Sequence, residues 1–432
     1  MAIDIPYLSH MIYPLFDFFE FFFACMYRND LLLLVSAYKW RRHFLQDQYK
    51  NILDVGVCRE CAKRLKNSFF VKKNPNGIHA YRRSTLVERT FNTGQIPHVW
   101  EMSRLTPIGK TARNTLPTHF SPISVINAIA KVIEKIVLKQ LEDHFENTII
   151  SKQSGFRNGD STTLQLYRLV QEWSETVDSG EAVGIAFLDL QKAFDKIWHN
   201  GLLAKLKAYG LSGNSYTWIK NYIKGREQRV ELQGGSSHWR TPPAGVPQGS
   251  CLSPLLFSVY VNDLPDVLPM NADCNLFADD TTLSTRNKSV KNIQETLQLA
   301  VDNAILWFKT WKVKANPMKT EIILLQTDRQ KRENININLE GHVLQQAVSH
   351  KHLGVRIQQN LRWKEHVDDI CTKANQRLGL LRLLQHNGMP EHCLQRVYNT
   401  LVRSTLEYAS IVWTPSPGDS ARLEVIQEKA KK

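Results

Sequence analysis

Val183-Gly184-Ile185-Ala186-Phe187-Leu188-Asp189 is a continuous apolar run closed by an acid. It is too short for an ordinary helix, so it reads as a buried strand that delivers a carboxylate at its tip. Further along, Asn275-Leu276-Phe277-Ala278-Asp279-Asp280-Thr281-Thr282-Leu283 sets apolar or β-branched residues on both sides of an Asp pair. That pattern predicts a tight hairpin with aspartates at its turn. If the two strands are neighbours in one sheet, Asp189 meets Asp279 and Asp280. Converging carboxylates suit hard divalent cations, and two such ions suit transfer of a phosphoryl group to a nucleotide. Each piece alone is weak: Asp368-Asp369 in the same chain sits in a helix pattern with no such setting.

Helices and short strands surround these two placements. Ile126, Ile129, Ile133, Ile136, Val137 and Leu141 recur at helical spacing after Pro122 and predict an amphipathic helix running into the acidic stretch around Asp143. A second helix is expected from Thr162 to Glu175, with helical patterns again from Gly201 to Gly210 and Ser215 to Lys224. Gln228 to Thr241 reads as two strands around Gly234-Gly235-Ser236-Ser237, and a helix begins near Pro254 with Leu255, Leu256, Val259 and Tyr260 on its buried side. Ile293, Leu297, Ala300, Val301, Ala304, Ile305 and Phe308 mark another amphipathic helix, and Glu321-Ile322-Ile323-Leu324-Leu325 a strand. From Trp363 to Leu384 a helix pattern places Val367, Ile370, Ala374, Leu378 and Leu381 inward, leaving Lys373, Arg377 and Arg382 on a more exposed side. The stretch from Tyr216 to Arg226 interleaves bases with aromatics as nucleic-acid grooves do, though Trp218 and Tyr222 at helical spacing also suit a core.

The totals agree with a nucleic-acid partner without requiring one. The 432 residues carry 55 basic against 41 acidic side chains, a formal charge of +14, and 43% are hydrophobic, enough for ordinary cores. Seven scattered cysteines, an odd number, argue against a secreted disulfide framework and for a reducing, intracellular compartment, nucleus or cytoplasm. Cys58 and Cys61 have zinc-ligand spacing but lack a second pair at a suitable distance. The Phe- and Leu-rich stretch from Met11 to Ala37 is broken by Asp17, Glu20, Arg28 and Asp30 into pieces too short to span a bilayer, so no membrane partner is expected.

The residues around the acids are more specific. Phe187-Leu188-Asp189-Leu190-Gln191-Lys192-Ala193-Phe194-Asp195-Lys196, then Gly245-Val246-Pro247-Gln248-Gly249-Ser250-Cys251-Leu252-Ser253-Pro254, then Phe277-Ala278-Asp279-Asp280 closely resemble, in order and spacing, the palm motifs of reverse transcriptases from non-LTR retrotransposons, LINE-type elements of the jockey kind. The resemblance runs from about Thr93 through Gln153-Ser154-Gly155-Phe156-Arg157 to His352-Leu353-Gly354-Val355 and the C-terminus. It implies an α/β right-hand polymerase with an antiparallel-sheet palm. The expected divisions are an unassigned region 1–89, fingers 90–180, palm 181–340 with a fingers insertion near 202–240, and a helical thumb 345–432.

The resemblance also implies roles. Asp189 and Asp279 would hold two Mg²⁺ ions, for which Mn²⁺ can substitute, with the Leu190 carbonyl helping and Asp280 completing the acidic cluster. Backbone N–H groups near Lys192 and Ala193 would meet the triphosphate, and Arg157 would hold phosphate oxygens. Phe194 would be the aromatic gate under the sugar, Gln248 would line the nucleotide pocket, and Lys319 would protonate the departing pyrophosphate. His352-Leu353-Gly354-Val355 would grip the primer end, and Lys373, Arg377 and Arg382 would track the duplex. The implied partners are an RNA template, a DNA primer and deoxynucleoside triphosphates, while oligomeric state is left open. Two departures stand out: Phe120-Ser121 precede Pro122-Ile123-Ser124 where the family usually has an Arg, and Gly109 replaces a second proline in Pro107-Ile108-Gly109-Lys110. With no nuclease-like segment in residues 1 to 90, the chain reads as a truncated copy with its palm intact. The rival readings are a decayed copy that merely binds RNA and an RNA-templated RNA polymerase. The intact acids weigh against the first and the aromatic at 194 against the second.

Overall fold

The computed structural model of the chain describes residues 88–109, 116, 119–232, 234–327 and 333–431. The readings of Met11 to Ala37 and of Cys58 with Cys61 lie outside these residues. The described residues fall into two compact units. Cys371–Leu406 and the segment from Glu424 onward form one; the residues up to Ile370 with Glu407–Leu423 form the other.

The larger unit opens with β1 (Met102–Gly109) and β2 (Phe120–Ile126), an antiparallel pair in which Pro107 faces Pro122. Helix α1 (Ala128–Phe145) starts where the side chain of Asn127 accepts from the Ile129 N–H, meeting one of the amides that a helix start leaves without a partner. It buries Ala130, Ile133, Val137, Leu141 and Phe145, while Ile129, Val132 and Ile136 stay exposed. The apolar periodicity from Ile126 to Leu141 therefore covered two faces of the helix, not one. Helix α2 (Thr162–Asp178), capped by Ser161, delivers the chain into β3 (Ala182–Asp189), buried from end to end except at half-buried Asp189.

Helices α3 (His199–Ala208) and α4 (Gly213–Lys224) lead to β4 (Glu227–Leu232), which pairs parallel to β1, and β5 (Gly235–Ser236) completes a sheet in the order β2-β1-β4-β5. Trp218 and Tyr222 of α4 are buried and stacked at 5.4 Å, so this aromatic pair belongs to the core and not to a nucleic-acid groove.

A second sheet holds the acids. Helix α5 (Ser253–Val261), buried over almost its whole surface, precedes the hairpin of β6 (Ala272–Phe277) and β7 (Asp280–Asn287), helix α6 (Val290–Thr310) and β8 (Glu321–Leu325). The strand order is β6-β7-β3-β8, antiparallel throughout. β3 is thus paired on both edges. α6 covers it with Ile293 and Leu297, which lie over Gly184. Two small hairpins follow, β9 (Asn338–Leu339) with β10 (His342–Val343), and β11 (Ser349–His352) with β12 (Val355–Gln358). The His350 ring of β11 stacks on Phe187 of β3 at 4.0 Å. Covered on both faces, β3 has no reason to alternate polar with apolar residues.

Helix α7 (Lys364–His386) buries Val367, Ile370, Ala374, Leu378 and Leu381, as its periodicity predicts. Within the smaller unit, Glu391–Val397 is α-helical and Tyr398–Arg403 is a π-helical turn. No helix among the described residues is long and apolar enough to cross a membrane.

Candidate active site

The register of the second sheet decides the site. Asp189, last residue of β3, is the cross-strand partner of Asp280, first residue of β7. Asp279 sits just before it in the two-residue turn Ala278-Asp279, where Ala278 takes a positive φ of 55°. Gly155 presses on this turn so closely that a methyl group at its position would lie 2.3 Å from the Ala278 nitrogen. Only a residue without a side chain fits there. The Ser154 N–H donates to the Leu276 carbonyl at 2.9 Å and fixes the approach.

Like charges are gathered here with little to balance them. The nearest cation to Asp189 is Lys319, whose Nζ lies 3.7 Å from Oδ2; Asn316 Nδ2 approaches the same oxygen at 3.4 Å, and its backbone N–H donates to the Asp189 carbonyl at 2.8 Å. Asp279 and Asp280 reach solvent in surface area, yet the surrounding wall strips away much of their water. That loss, then Asp279 and Asp189, pushes the Asp280 carboxyl up to about 6. Asp279 is raised too, by loss of water and by Asp189, against the pull of its own backbone amide and Lys319.

Asp189 and Asp279 open onto a cleft of about 690 Å³. Leu190, Lys192, Ala193 and Phe194 line it from the segment after β3, Gln248 from the Pro-Gln-Gly turn, and Lys319 from the loop before β8. Lys192, at φ 51°, turns the chain out of the strand into the single helical turn Phe194–Lys196. The Phe194 ring is held between Phe257 of α5, stacked at 4.9 Å, and Phe156, edge-on at 6.2 Å. Gln248 donates from Nε2 to Asp195 Oδ1 at 2.9 Å, and its carbonyl accepts from the Ser124 N–H of β2 at 2.7 Å. Behind this turn lies Glu134 of α1, wholly buried. Its carboxylate accepts from Tyr222 Oη at 2.7 Å, Ser250 Oγ at 2.9 Å and the Cys251 N–H at 2.8 Å.

The expected site residues are not all brought to the cleft. Asp280 faces Asp189 across the strands but does not line it. Arg157 does not line it either: its guanidinium donates to the Ile150 carbonyl at 2.9 Å and to that of Ile149, so it ties down the chain after α1 where phosphate binding was expected. Leu353 and Gly354 form the turn between β11 and β12, where buried His352 lies 3.5 Å from Thr282 Oγ1. Lys373, Arg377 and Arg382 belong to the other compact unit. Arg382 is exposed, but Arg377 is half-buried and donates to the Leu401 carbonyl at 2.7 Å and to Thr405, which corrects its assignment to an open, duplex-facing side.

Some functional neighbours escaped the sequence reading. Phe156, Phe120, Ser121 and Asn316 line the cleft, two of them in the stretch that lacks the family's arginine. Glu134 had a legible signal, an acid beside Ile133 and Val137 on an otherwise apolar helix face.

The site fits a divalent cation by its donors, hard carboxylate oxygens in excess of the positive charge around them. Among the described residues no three His, Cys, Asp or Glu side chains are already gathered closely enough to hold a metal. Of the three acids that line the cleft, Asp195 accepts from Gln248 Nε2, which leaves Asp189 and Asp279 as the pair that could share one.

The chain is similar to several known proteins. A family model described as "Reverse transcriptase (RNA-dependent DNA polymerase)" matches residues 108–357. The chain is 30% identical over 346 residues to a protein named probable RNA-directed DNA polymerase from transposon BS of Drosophila melanogaster, covering 77% of this chain and 38% of that one. It is 28% identical over 334 residues to the RNA-directed DNA polymerase from mobile element jockey of the same organism, covering 75% and 36%. The chain therefore spans little more than a third of either relative. Among solved structures, apo telomerase from Candida tropicalis aligns over 81% of this chain and 71% of its own, at 10% identity and a TM-score of 0.44.

Proposed function

The chain belongs to the reverse transcriptase family, and from that premise we propose that it extends a DNA primer along an RNA template as the polymerase portion of a mobile-element protein. The observation that carries this reading is the convergence of Asp189, Leu190, Lys192, Ala193, Phe194, Gln248, Asp279 and Lys319, from four separated stretches of sequence, on one cleft.

Asp189 and Asp279 would hold the Mg²⁺ ions, with the Leu190 carbonyl beside them. Bound there, the ions would lower the pKa of an attacking 3′-hydroxyl and neutralise charge on a triphosphate. The protein's own residues do the positioning. Phe194, clamped between two aromatic rings, offers a rigid face beneath the sugar. Gln248 is fixed through Asp195 and Ser124, so the pocket wall it forms does not move with the substrate. Lys319 Nζ, loosely paired with Asp189 and largely exposed, can give a proton to the departing pyrophosphate without breaking a strong ion pair.

The test is extension of a DNA primer on an RNA template, compared between Mg²⁺ and a chelator, with melting curves on the same samples. Mg²⁺ should support extension and raise the melting temperature, since a ligand of the native state alone stabilises it. RNA binding without extension in Mg²⁺ or Mn²⁺ would overturn the polymerase reading in favour of a decayed, RNA-binding copy.

A further inference from the structure

The turn between β11 and β12 is an unusual piece of backbone. Leu353 has φ 44° and Gly354 φ 91°. Two successive left-handed residues suit a tight hairpin, but a branched leucine takes this conformation reluctantly and needs its surroundings to hold it.

Tyr408, immediately after the short helix Ser404–Glu407, does the holding. Its Oη donates to the Leu353 carbonyl at 2.7 Å and lies 2.9 Å from Thr162 Oγ1 at the start of α2. A phenol has one proton and the carbonyl can only accept, so the proton goes to Leu353 and the Thr162 hydroxyl donates in return to the phenol oxygen. The ring itself lies flat enough on Gly354 that a methyl group there would stand 3.0 Å from Cε1. Because a peptide unit is planar and trans, turning the Leu353 carbonyl toward Tyr408 turns the Gly354 N–H to the opposite side. The strand that leads into this turn is bound to the sheet that carries the acids: His350 stacks on Phe187, and His352 lies against Thr282, the cross-strand partner of Phe187. Phe187 and Thr282 are each two residues from the facing acids, Asp189 and Asp280.

We propose that Tyr408 is a positioning residue for the primer, fixing the Leu353–Gly354 peptide at the level of the catalytic acids so that the turn meets the sugar-phosphate of the primer terminus. This rests on the polymerase reading above. Tyr408 does not line the cleft onto which Asp189 and Asp279 open, so it acts on the primer and not on the incoming triphosphate.

The test uses the full chain with Tyr408→Phe, Thr162→Val and the double variant. Tyr408→Phe keeps the ring and deletes the hydrogen bonds to the Leu353 carbonyl and Thr162; loss of the first, which holds the turn, should slow extension from a saturating primer–template about 3- to 12-fold. The KM for deoxynucleotide should stay within about twofold and the melting temperature within about 3 °C. Thr162→Val should slow extension less, and the double variant should be no slower than Tyr408→Phe, because both act through one phenol. Hydrogen exchange of segment 352–355 in the same proteins should quicken in Tyr408→Phe. A wild type that extends primers, with a variant unchanged in rate or altered chiefly in nucleotide KM, overturns the inference. A wild type that extends no primer removes the polymerase reading and the primer's part with it, whereas unchanged exchange removes the positioning by itself.

Discussion

Two carboxylate environments in the larger unit are built on opposite plans. Glu134 is buried and meets a phenol, a hydroxyl and a backbone N–H, so three of its roughly four acceptor directions are served. Asp189 and Asp279 open onto the cleft with Asp280 beside them, and their charge is met only by one distant lysine, one long asparagine contact and the Asp279 backbone amide. A buried acid with its own donors contributes to the fold. Acids set side by side without donors weaken the fold unless charge arrives from outside. The contrast separates a structural carboxylate from a catalytic one more reliably than burial does, since here the structural acid is the more buried of the two kinds.

The largest expected effect lies on the unsatisfied side. Asp279→Asn keeps size and removes charge, and extension should fall by on the order of 10³, equivalent to about 4 kcal/mol. The metal-free protein should melt no lower than wild type, because a repulsion has gone. The Mg²⁺-dependent rise in melting temperature should shrink or vanish. Near-normal extension by this variant would place the catalytic acids elsewhere.

Glu134→Ala makes the opposite demand. Three donors lose their acceptor, which costs roughly 3–5 kcal/mol of stability and should lower the melting temperature by roughly 10 °C. Activity at a temperature where the variant is folded should change much less, through looser seating of Gln248. A variant that melts like wild type would show that the donors find other partners and would blunt the contrast.

Phe194 tests the wall between the two plans, since its ring is half core and half site. Replacement by Val should raise ribonucleotide use relative to deoxynucleotide use by about 10- to 200-fold, the range for a steric contact of about 1–3 kcal/mol. If kcat/KM falls equally for both sugars while the melting temperature drops, the ring is core alone. The smallest effects concern the basic residues of α7. Arg382→Gln should flatten the salt dependence of nucleic-acid binding by about one unit of slope. Arg377→Gln should leave that slope alone and lower stability by about 1 kcal/mol, because its guanidinium is committed to the Leu401 carbonyl. Equal slopes for the two variants would contradict the distinction.

Much of this was legible in the sequence, for physical reasons. The run Val183 to Leu188 announced a strand covered on both faces, and the Asp pair flanked by β-branched residues announced a hairpin; both elements formed, and their pairing follows once each strand seeks an edge. Arg157, Arg377 and the pair Trp218–Tyr222 were harder. A one-dimensional pattern shows which side chains are charged or aromatic, but not whether a carbonyl at the end of another element is waiting for them. Ile129 and Ile136 failed for a related reason, since hydrophobic spacing reveals an apolar helix and not how many of its faces are covered. Tyr408 gave no signal at all. Its partners, Leu353 and Thr162, are remote in sequence, and only folding brings them to one oxygen.

The position of β3 in its sheet has a consequence for how the protein is made. Both strands that flank it, β7 and β8, are encoded later, and β7 begins only at Asp280. During synthesis at roughly 5–20 residues per second, the ribosome must therefore work for several seconds after β3 emerges before a partner exists for either edge. An apolar strand with two open edges is a template for pairing with other chains. Chaperone capture of nascent chains should accordingly peak in that interval, and Asp189 and Asp280 cannot face each other until it closes.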